Sequence, residues 1–389
     1  MNGINIIKQD GGLGRIQAGT DAISGLLFYL AAVPEGWSDA PLLITDVEAA
    51  EAAGITAEAS PVAHYHISEF FRMAGAATLY VHVVKAPDGA NDFTEAQDMV
   101  DFAEGKLRQI GVYTTSAWDV ADVAKLQRVA AASEIANTPL SAILYAPDFS
   151  AVEDITSLAD LRGTGEGAPN SPKVSVILAQ DGAGRGAGLY ASGKKSVSAL
   201  GCCLGTVAAA AVNENIGWIE KFNVSDGVEM EVAALANGRL RPSTAVVDAL
   251  NTKGYICAYK ETDIAGTYFY DSVTACPPTS DYCYIEANRT MDKAIRGVRA
   301  ALLPKLRGTA YVDPDTGKLR PEYCANLEEV GNAPLETMAM AGELSGYEVY
   351  IDPDQNVLST SKIKVAIKNV PTGVVRLFEV SIGFTTSLS

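Results

Sequence analysis

A glycine-rich stretch at residues 182–196, GAGRGAGLYASGKKS, has a spacing that binds phosphate in other proteins. Residues 188–194 match the pattern G-x-x-x-x-G-K of a phosphate-binding loop. Such a loop continues with a serine or threonine that holds magnesium, but the next residue here is Lys195. We therefore interpret the stretch as an exposed, flexible surface loop. An α/β enzyme that binds a nucleotide through residues 182–195 is the alternative hypothesis.

The three histidines do not predict a metal or catalytic site. His64 and His66 are two residues apart in a helical pattern, so their rings would point about 200° apart and cannot share a metal ion. We expect them and His82 to pack inside the protein or to lie on its surface. No nucleophile elbow and no pair of carboxylates stand out. The sequence thus predicts no catalytic residue, no metal ligand and no cofactor.

The cysteines and the apolar pattern predict the cellular compartment of the protein. The six cysteines are dispersed and form no Cys-x-x-Cys pair, which is typical of reduced thiols in a cytoplasmic product. The first residues lack the basic and apolar regions of a signal peptide, and no apolar run has membrane-spanning length. We expect neither secretion through a signal peptide nor insertion into a membrane.

One short segment concentrates positive charge in an acidic chain. The 389 residues have a net charge of −17, yet the segment from Arg289 to Arg307 holds six basic residues and one acid. Its net charge is therefore +5, and the rest of the chain carries −22. An acidic surface repels the phosphates of nucleic acids. A nucleic-acid-binding protein that uses only this segment is thus a disfavoured hypothesis.

The basic segment has the pattern of an amphipathic helix that ends near Pro304. At 100° per residue, four basic side chains fall within a sector of about 120°; they are Arg289, Lys293, Arg296 and Arg299. The opposite side is apolar and comprises Met291, Ala294, Ile295, Val298 and Leu302. One face should therefore pack on a core, while the basic stripe is either a solvated face or a docking surface.

Short apolar runs alternate with helical patterns between residues 26 and 180, which predicts a layered α/β domain. The predicted strands are 26–33, 41–46, 78–85, 141–148 and 173–181, and the predicted helices are 62–75, 94–111 and 120–137. A helix of small residues at 196–212 leads to a second region. The predicted domains are an N-terminal arm at 1–20, an outer α/β domain at 21–200 and an inner α+β domain at 201–389.

Both ends of the chain have strand-like patterns. Residues 362–368 and 375–384 alternate apolar and polar side chains and predict two strands joined around 369–373. The second of them places Phe378, Val380, Ile382 and Phe384 on one face. Near the N-terminus, INIIKQ is a shorter β-like segment that contributes Ile4, Ile6 and Ile7. Exposed edges of this kind need a partner, since they otherwise promote aggregation.

Several stretches, taken in order, resemble the sheath proteins of contractile phage tails, in particular the compact sheath family of myophages and prophages. They are GGLGRIQAGTDAISGLL, HYHISEFFRMAG, TLYVHVV, SALGCCLGTVAAAAVNENIGWIEKFN, YIEANRTMDKAIRGVRAALLP and the terminal β-pair. The acidic DSVTACPPTSDYCY and the pair Cys202-Cys203 are departures, because they are not features that membership of that family requires. The resemblance covers nearly the whole chain.

The resemblance implies a structural protein without enzymatic activity. Such a subunit polymerises in stacked hexameric rings around an inner tube, and the sheath shortens to drive the tube through the host envelope. The expected partners are further copies of the chain, the tube protein, and baseplate and tail terminator proteins, with no direct nucleic-acid contact. The expected location is the tail of a virion, assembled in the host cytoplasm.

The resemblance also assigns two kinds of assembly residue. A helix of the C-terminal domain lies against the tube in such sheaths, so the basic side chains Arg289, Lys293, Arg296 and Arg299 would face an acidic tube. The N-terminal arm and the C-terminal arm at 374–389 would complete β-sheets of neighbouring subunits. The arm residues expected to link subunits are Ile4, Ile6, Ile7, Phe378, Val380, Ile382 and Phe384.

Overall fold

The computed structural model describes residues 20–34, 37–165 and 167–385. Its strands are β1 Ser24–Leu30, β2 Leu42–Ile44, β3 Leu79–Lys85, β4 Gln109–Ala117, β5 Ala142–Asp148, β6 Val174–Ile177, β7 Ala179–Asp181, β8 Ala233–Leu235, β9 Tyr255–Ile256, β10 Ala258–Tyr259, β11 Tyr268–Phe269, β12 Leu344–Tyr350 and β13 Ala366–Pro371. Its helices are α1 Val47–Ala52, α2 Pro61–Ala74, α3 Thr94–Phe102, α4 Ala121–Ile135, α5 Arg185–Gly193, α6 Leu200–Ala209, α7 Thr244–Thr252, α8 Ile285–Leu302, α9 Pro321–Met340 and α10 Val357–Thr360.

A seven-stranded sheet forms the centre of the larger domain, in the order β2-β3-β1-β4-β5-β6-β9. All neighbouring strands are parallel except β2 and β3, which are antiparallel. Along β1, Leu26 and Phe28 contribute to the core beneath α2 and α6, while Leu27 and Tyr29 contribute to the core beneath α3, α4 and α7. Helices thus cover both faces, which explains the continuous apolar run in β1. The predicted layered α/β domain is confirmed.

Glycines in α6 allow this helix to approach α2 unusually closely. A Cβ atom at Gly201 would lie 2.0 Å from the carbonyl oxygen of His66, and one at Gly205 would lie 2.5 Å from that of Phe70. Helix α6 is therefore part of the larger domain's core, and so are Val273 and Ile285. The domain boundary predicted between residues 200 and 201 would cut through this core.

The smaller domain consists of α8, α9 and the antiparallel pair β12–β13, with two small apolar clusters of its own. The first cluster includes Ala294 and Val298 of α8 together with Leu335 and Met338 of α9. The second holds Leu319, Cys324, Leu327 and Ile351. These helices and strands combine α and β structure, and the first of them is α8.

Two sequence predictions about individual elements are wrong. The helix predicted at 94–111 ends at Phe102, and strand β4 begins at Gln109, directly beside β1 in the sheet. Gly105, with a φ of +67°, lies in the turn between them. The stretch predicted as a flexible loop near 182–196 contains helix α5.

The C-terminal segment does not form the predicted hairpin. Strand β13 pairs with β12, so residues 362–368 and 375–384 are not partners. Residues 372–385 have no regular secondary structure. The predicted N-terminal segment with Ile4, Ile6 and Ile7 lies outside the described residues. Among the residues that are described, no helix has the length and apolarity needed to cross a lipid bilayer.

Candidate functional site: assembly surfaces

Helix α8 is formed as the sequence predicts and runs from Ile285 to Leu302. Ala294 and Val298 pack against α9, which confirms an apolar contact face. Ile295, predicted on the same face, is 48% exposed. The helix starts one turn earlier than the basic segment, so its first residues reach into the larger domain's core through Ile285.

Arg289 does not belong to an exposed stripe. The residue is 2% exposed, and its guanidinium donates to the carbonyl oxygens of Ala210 and Ala211, both at 3.1 Å, and of Asp21 at 3.4 Å. Burial lowers the pKa of Arg289 to about 10. The side chain joins α8 to the end of α6, and the expectation that it faces a tube is wrong because a partner cannot reach it.

Lys293 and Arg296 form ion pairs within the subunit. Lys293 Nζ lies 2.9 Å from Asp21 and 2.6 Å from Glu343, and Arg296 lies 2.8 Å from Asp21. Burial acts to raise the pKa of Asp21, but the ion pair and hydrogen bond with Lys293 and the charge of Arg296 lower it overall. These cations hold the start of the described chain against α8 and the turn before β12. Their charge is neutralised inside the subunit.

Arg299 is the exposed member of the predicted stripe. It has no ion pair among the described residues, and neither do Lys305 and Arg307, which follow at the end of α8 and are also exposed. Leu303 and Leu306 are exposed beside them. We call Arg299, Leu303, Lys305, Leu306 and Arg307 the basic end of α8. Cations and apolar groups that are both unpaired make this a candidate docking surface.

Beyond Arg376, the described chain exposes its large apolar side chains. They recur along residues 377–384, the part of the predicted arm at 374–389 that we call the C-terminal arm from here on. Each of them is at least 79% exposed, namely Leu377, Phe378, Val380, Ile382 and Phe384. Eight residues in an extended conformation span about 26 Å. These apolar side chains are not covered by the described part of their own subunit, and a segment of this length can reach an adjacent molecule.

The β12–β13 sheet has only two strands, which is marginal for a stable sheet in water. It also exposes apolar side chains, among them Tyr350, Ile367 and Val370. Both outer edges are open among the described strands, so each offers backbone groups to a further strand. The smaller domain therefore has an acceptor for a strand, and the arm has the composition of a donor.

The glycine-rich stretch lacks the geometry of a phosphate site. Phosphates bind at the N-terminus of a helix, but Lys194 is at the C-terminal end of α5, and Lys195 pairs with Asp148 at 2.6 Å. At the N-terminal end, the backbone amide of Arg185 donates to Glu229 at 2.9 Å. A carboxylate thus occupies the position that a phosphate would need.

Histidines and cysteines contribute to packing. His66 is buried and stacks on Phe28, and burial lowers its pKa to about 3. His64 contacts Glu51 at 2.8 Å. All six cysteines are buried and free. No group of side chains placed to hold a metal ion occurs in residues 20–34, 37–165 and 167–385.

Comparison with family models divides the chain just before helix α8. A model described as "DUF2586, N-terminal domain" matches residues 1–273, and one described as "DUF2586, C-terminal domain" matches residues 281–389. The junction between them precedes α8, whose first residue, Ile285, still belongs to the larger core. No curated protein shows significant sequence similarity to the chain.

Solved assemblies contain chains with a similar fold over nearly their full length. The chain matches the helical sheath of the anti-feeding prophage (AFP) in its contracted state with a TM-score of 0.64 and 15% identity, covering 99% of both chains. A match to the AFP baseplate has a TM-score of 0.62 and 14% identity over 100% of this chain and 99% of that chain. The PVC sheath complex of an extracellular contractile injection system, also contracted, matches with a TM-score of 0.62 and 11% identity. This match covers 100% of this chain and 98% of that chain. At such low identity these matches establish the fold.

Proposed function

The chain belongs to the DUF2586 family, and we propose that it is the structural subunit of a contractile sheath. The observation that carries this proposal is the fold, which is similar to that of subunits in contracted sheaths from the first domain to the last. The subunits assemble as stacked hexameric rings around an inner tube and shorten to drive that tube through an envelope. The protein acts as a mechanical component and not as an enzyme.

The proposed partners and location follow from this role. Further copies of the chain form the sheath, the tube protein fills its centre, and baseplate and terminator proteins close its ends. The subunit works in the tail of a virion or related injection particle, and it is assembled in the cytoplasm of the host. It contacts neither nucleic acid nor membrane directly.

We propose that the C-terminal arm links subunits by adding a strand to the β12–β13 sheet of a neighbour. Backbone hydrogen bonds give such a link affinity, and alternate side chains enter the partner's surface. Phe378, Val380, Ile382 and Phe384 are exposed in the single subunit. Burying a side chain of this size stabilises by about 1.5–3 kcal/mol, so the arm supplies a strong link. The N-terminal segment with Ile4, Ile6 and Ile7 is the proposed second link.

The tube contact is proposed at the basic end of α8. Arg299 is the exposed residue of the predicted basic stripe, and the exposed Lys305 and Arg307 follow it in the chain. The other three residues of the stripe have partners within the subunit, namely Arg289, Lys293 and Arg296. Exposed ion pairs contribute only about 0.2–1 kcal/mol each. A sheath attached to its tube by many such pairs can hold in the resting state and release during contraction.

Negative-stain electron microscopy tests the proposal. The purified full-length protein, alone and mixed with its cognate tube, should form hollow tubular polymers built from stacked rings. Subunits that stay monomeric in both samples would overturn the assignment as a sheath protein.

A further inference from the structure

A single arginine lies where the two domains and the C-terminal arm meet. Arg376 Nε lies 2.8 Å from Asp271 Oδ2, and its Nη2 lies 3.2 Å from Asp271 Oδ1 and 2.6 Å from Glu286 Oε1. The guanidinium also sits 3.5 Å from the ring centroid of Tyr284. One side chain thus contacts two carboxylates and an aromatic face at the same time.

The two carboxylates come from different domains and are both buried. Asp271 lies at the end of the larger domain, and Glu286 lies in the first turn of α8. Asn215 Nδ2 donates to Asp271 at 2.5 Å, and the hydroxyl of Ser272 donates to Glu286. These neutral groups orient the carboxylates but do not balance their charge. Among the described residues, Arg376 is the ion-pair partner of both.

Contacts to the subunit precede Arg376, and exposed apolar side chains follow it. Before it, Asn213 Nδ2 donates to Thr372 Oγ1 at 3.0 Å, and Ser345 Oγ donates to the carbonyl of Pro371 at 3.0 Å. The side chain of Arg376 is 31% exposed, whereas Leu377 is 82% exposed. The Arg376 cluster therefore lies where the chain passes from these contacts to the exposed side chains of residues 377–384.

We propose that Arg376 is a positioning residue that fixes the base of the C-terminal arm at the domain junction and sets the direction in which residues 377–384 leave the subunit. The proposal rests on the proposed function, because it concerns the arm that links neighbouring subunits. A link that transmits motion between rings needs a fixed base, since a loose base would let the arm slide while the subunits rotate. The cluster also holds α8 to the larger domain, so the subunit and the arm's base move together.

A simple Arg376→Gln variant tests folding and positioning together. It leaves two buried carboxylates without a cation, which is strongly destabilising, and its melting temperature should fall by roughly 5 °C or more. The discriminating variant combines Arg376→Gln with Asp271→Asn and Glu286→Gln. It removes the uncompensated charge while keeping the side-chain shapes, so its melting temperature should lie within about 3 °C of the wild-type value.

The expected result for the triple variant is a folded subunit that forms tubes poorly. Its yield of tubes in a pelleting assay should fall at least about tenfold, and the remaining tubes should have irregular ring spacing by electron microscopy. Arg376→Lys keeps the charge but loses the bidentate contact of the guanidinium with the carboxylates. Compared with Arg376→Gln, it should therefore restore the melting temperature more than the yield of tubes. Tubes of wild-type yield and spacing from the triple variant would overturn the positioning role and leave Arg376 with a folding role alone.

Two controls separate this inference from the proposed function. Lys106→Gln removes an exposed cation from the larger domain, whose partner Glu104 is also exposed, and it should change neither stability nor tube yield. Deletion of residues 377–389 removes the arm itself. If that deletion assembles normally, the arm is not a link and the proposed function fails. If the deletion blocks assembly while the triple variant assembles, only the role of Arg376 fails.

Discussion

Helix α8 and the C-terminal arm show opposite departures from the usual placement of side chains. In α8, the cations Arg289, Lys293 and Arg296 turn towards partners inside the subunit. In the arm, large apolar residues such as Phe378 and Ile382 remain exposed. Charged groups normally lie outside and apolar groups inside. The comparison teaches that a candidate assembly surface is recognised by side chains that have no partner within the described subunit, whether those side chains are charged or apolar.

The largest expected effect comes from making the arm polar. Replacing Phe378, Val380, Ile382 and Phe384 together by Ser should abolish tube formation, because under the proposed function these side chains supply the apolar contacts to the neighbouring subunit. The melting temperature of the monomer should shift by no more than about 1 °C, since exposed side chains contribute little to folding. Thermal melting and electron microscopy of the same preparation measure both effects.

The matched control changes the polar residues that alternate with these positions. Glu379→Gln with Ser381→Ala should leave tube yield unchanged. A large loss of monomer stability in the four-serine variant would contradict the account, because it would mean that the arm packs on its own subunit.

The next effect separates two arginines of the same helix. Arg289→Ala should lower the free energy of unfolding by about 2–4 kcal/mol, because buried carbonyl groups lose their donor and a cavity remains. Arg299→Ala should change it by no more than about 0.5 kcal/mol, as expected for an exposed side chain. Urea denaturation measures both values. Equal changes in the free energy of unfolding would contradict the conclusion that Arg289 is a buried cation and Arg299 an exposed one.

A smaller effect is expected at the basic end of α8. Changing Arg299, Lys305 and Arg307 to Gln should preserve the fold and weaken co-sedimentation with the cognate tube. Salt at 1 M shortens the Debye length to about 3 Å, so it should weaken wild-type attachment in the same way.

A charge-matched variant controls for the general effect of lowering the positive charge. Changing Lys85, Lys106 and Lys260 of the larger domain to Gln removes the same charge from exposed positions. It should leave tube attachment unaffected. If both triple variants weaken attachment equally, the tube responds to net charge and the basic end is not a specific surface.

No effect on assembly is expected from the glycine-rich stretch. Lys194→Ala with Lys195→Ala should leave tubes intact, because the two lysines lie at the C-terminal end of α5. Isothermal titration with ATP and magnesium should detect no binding to the wild-type protein. Binding that disappears in the double variant would favour the nucleotide-binding enzyme instead.

The fold of the larger domain could be predicted from the sequence where the signal is local. The strands β1, β3 and β5 and the helices α2 and α4 follow from apolar runs and helical periodicity. The sequence pattern did not predict the start of strand β4, because the apolar residues that begin β4 continue the helical spacing of α3. The position of α6 in the core could not be predicted in this way, because it depends on a close contact with α2, and contacts between distant segments leave no local pattern.

The candidate assembly surfaces could be predicted to a similar extent. The amphipathic form of α8 and the recurring large apolar residues of the C-terminal arm are visible in the order of side chains. The partners that neutralise α8 are not visible, because Asp21, Glu343 and the carbonyls after α6 are far away along the chain. The attachment at Arg376 was missed for the same reason, since its carboxylates lie in two other segments.

Hydrogen–deuterium exchange of the arm tests the central claim most directly. In the monomer, the amides of residues 377–384 should exchange within seconds, because the segment has no regular secondary structure. In assembled tubes, alternate amides of the arm should become protected, together with amides at an edge of β12 or β13, as expected when a neighbour's strand joins the sheet. Equal and rapid exchange of the arm in monomers and tubes would contradict the proposal that this segment links the subunits.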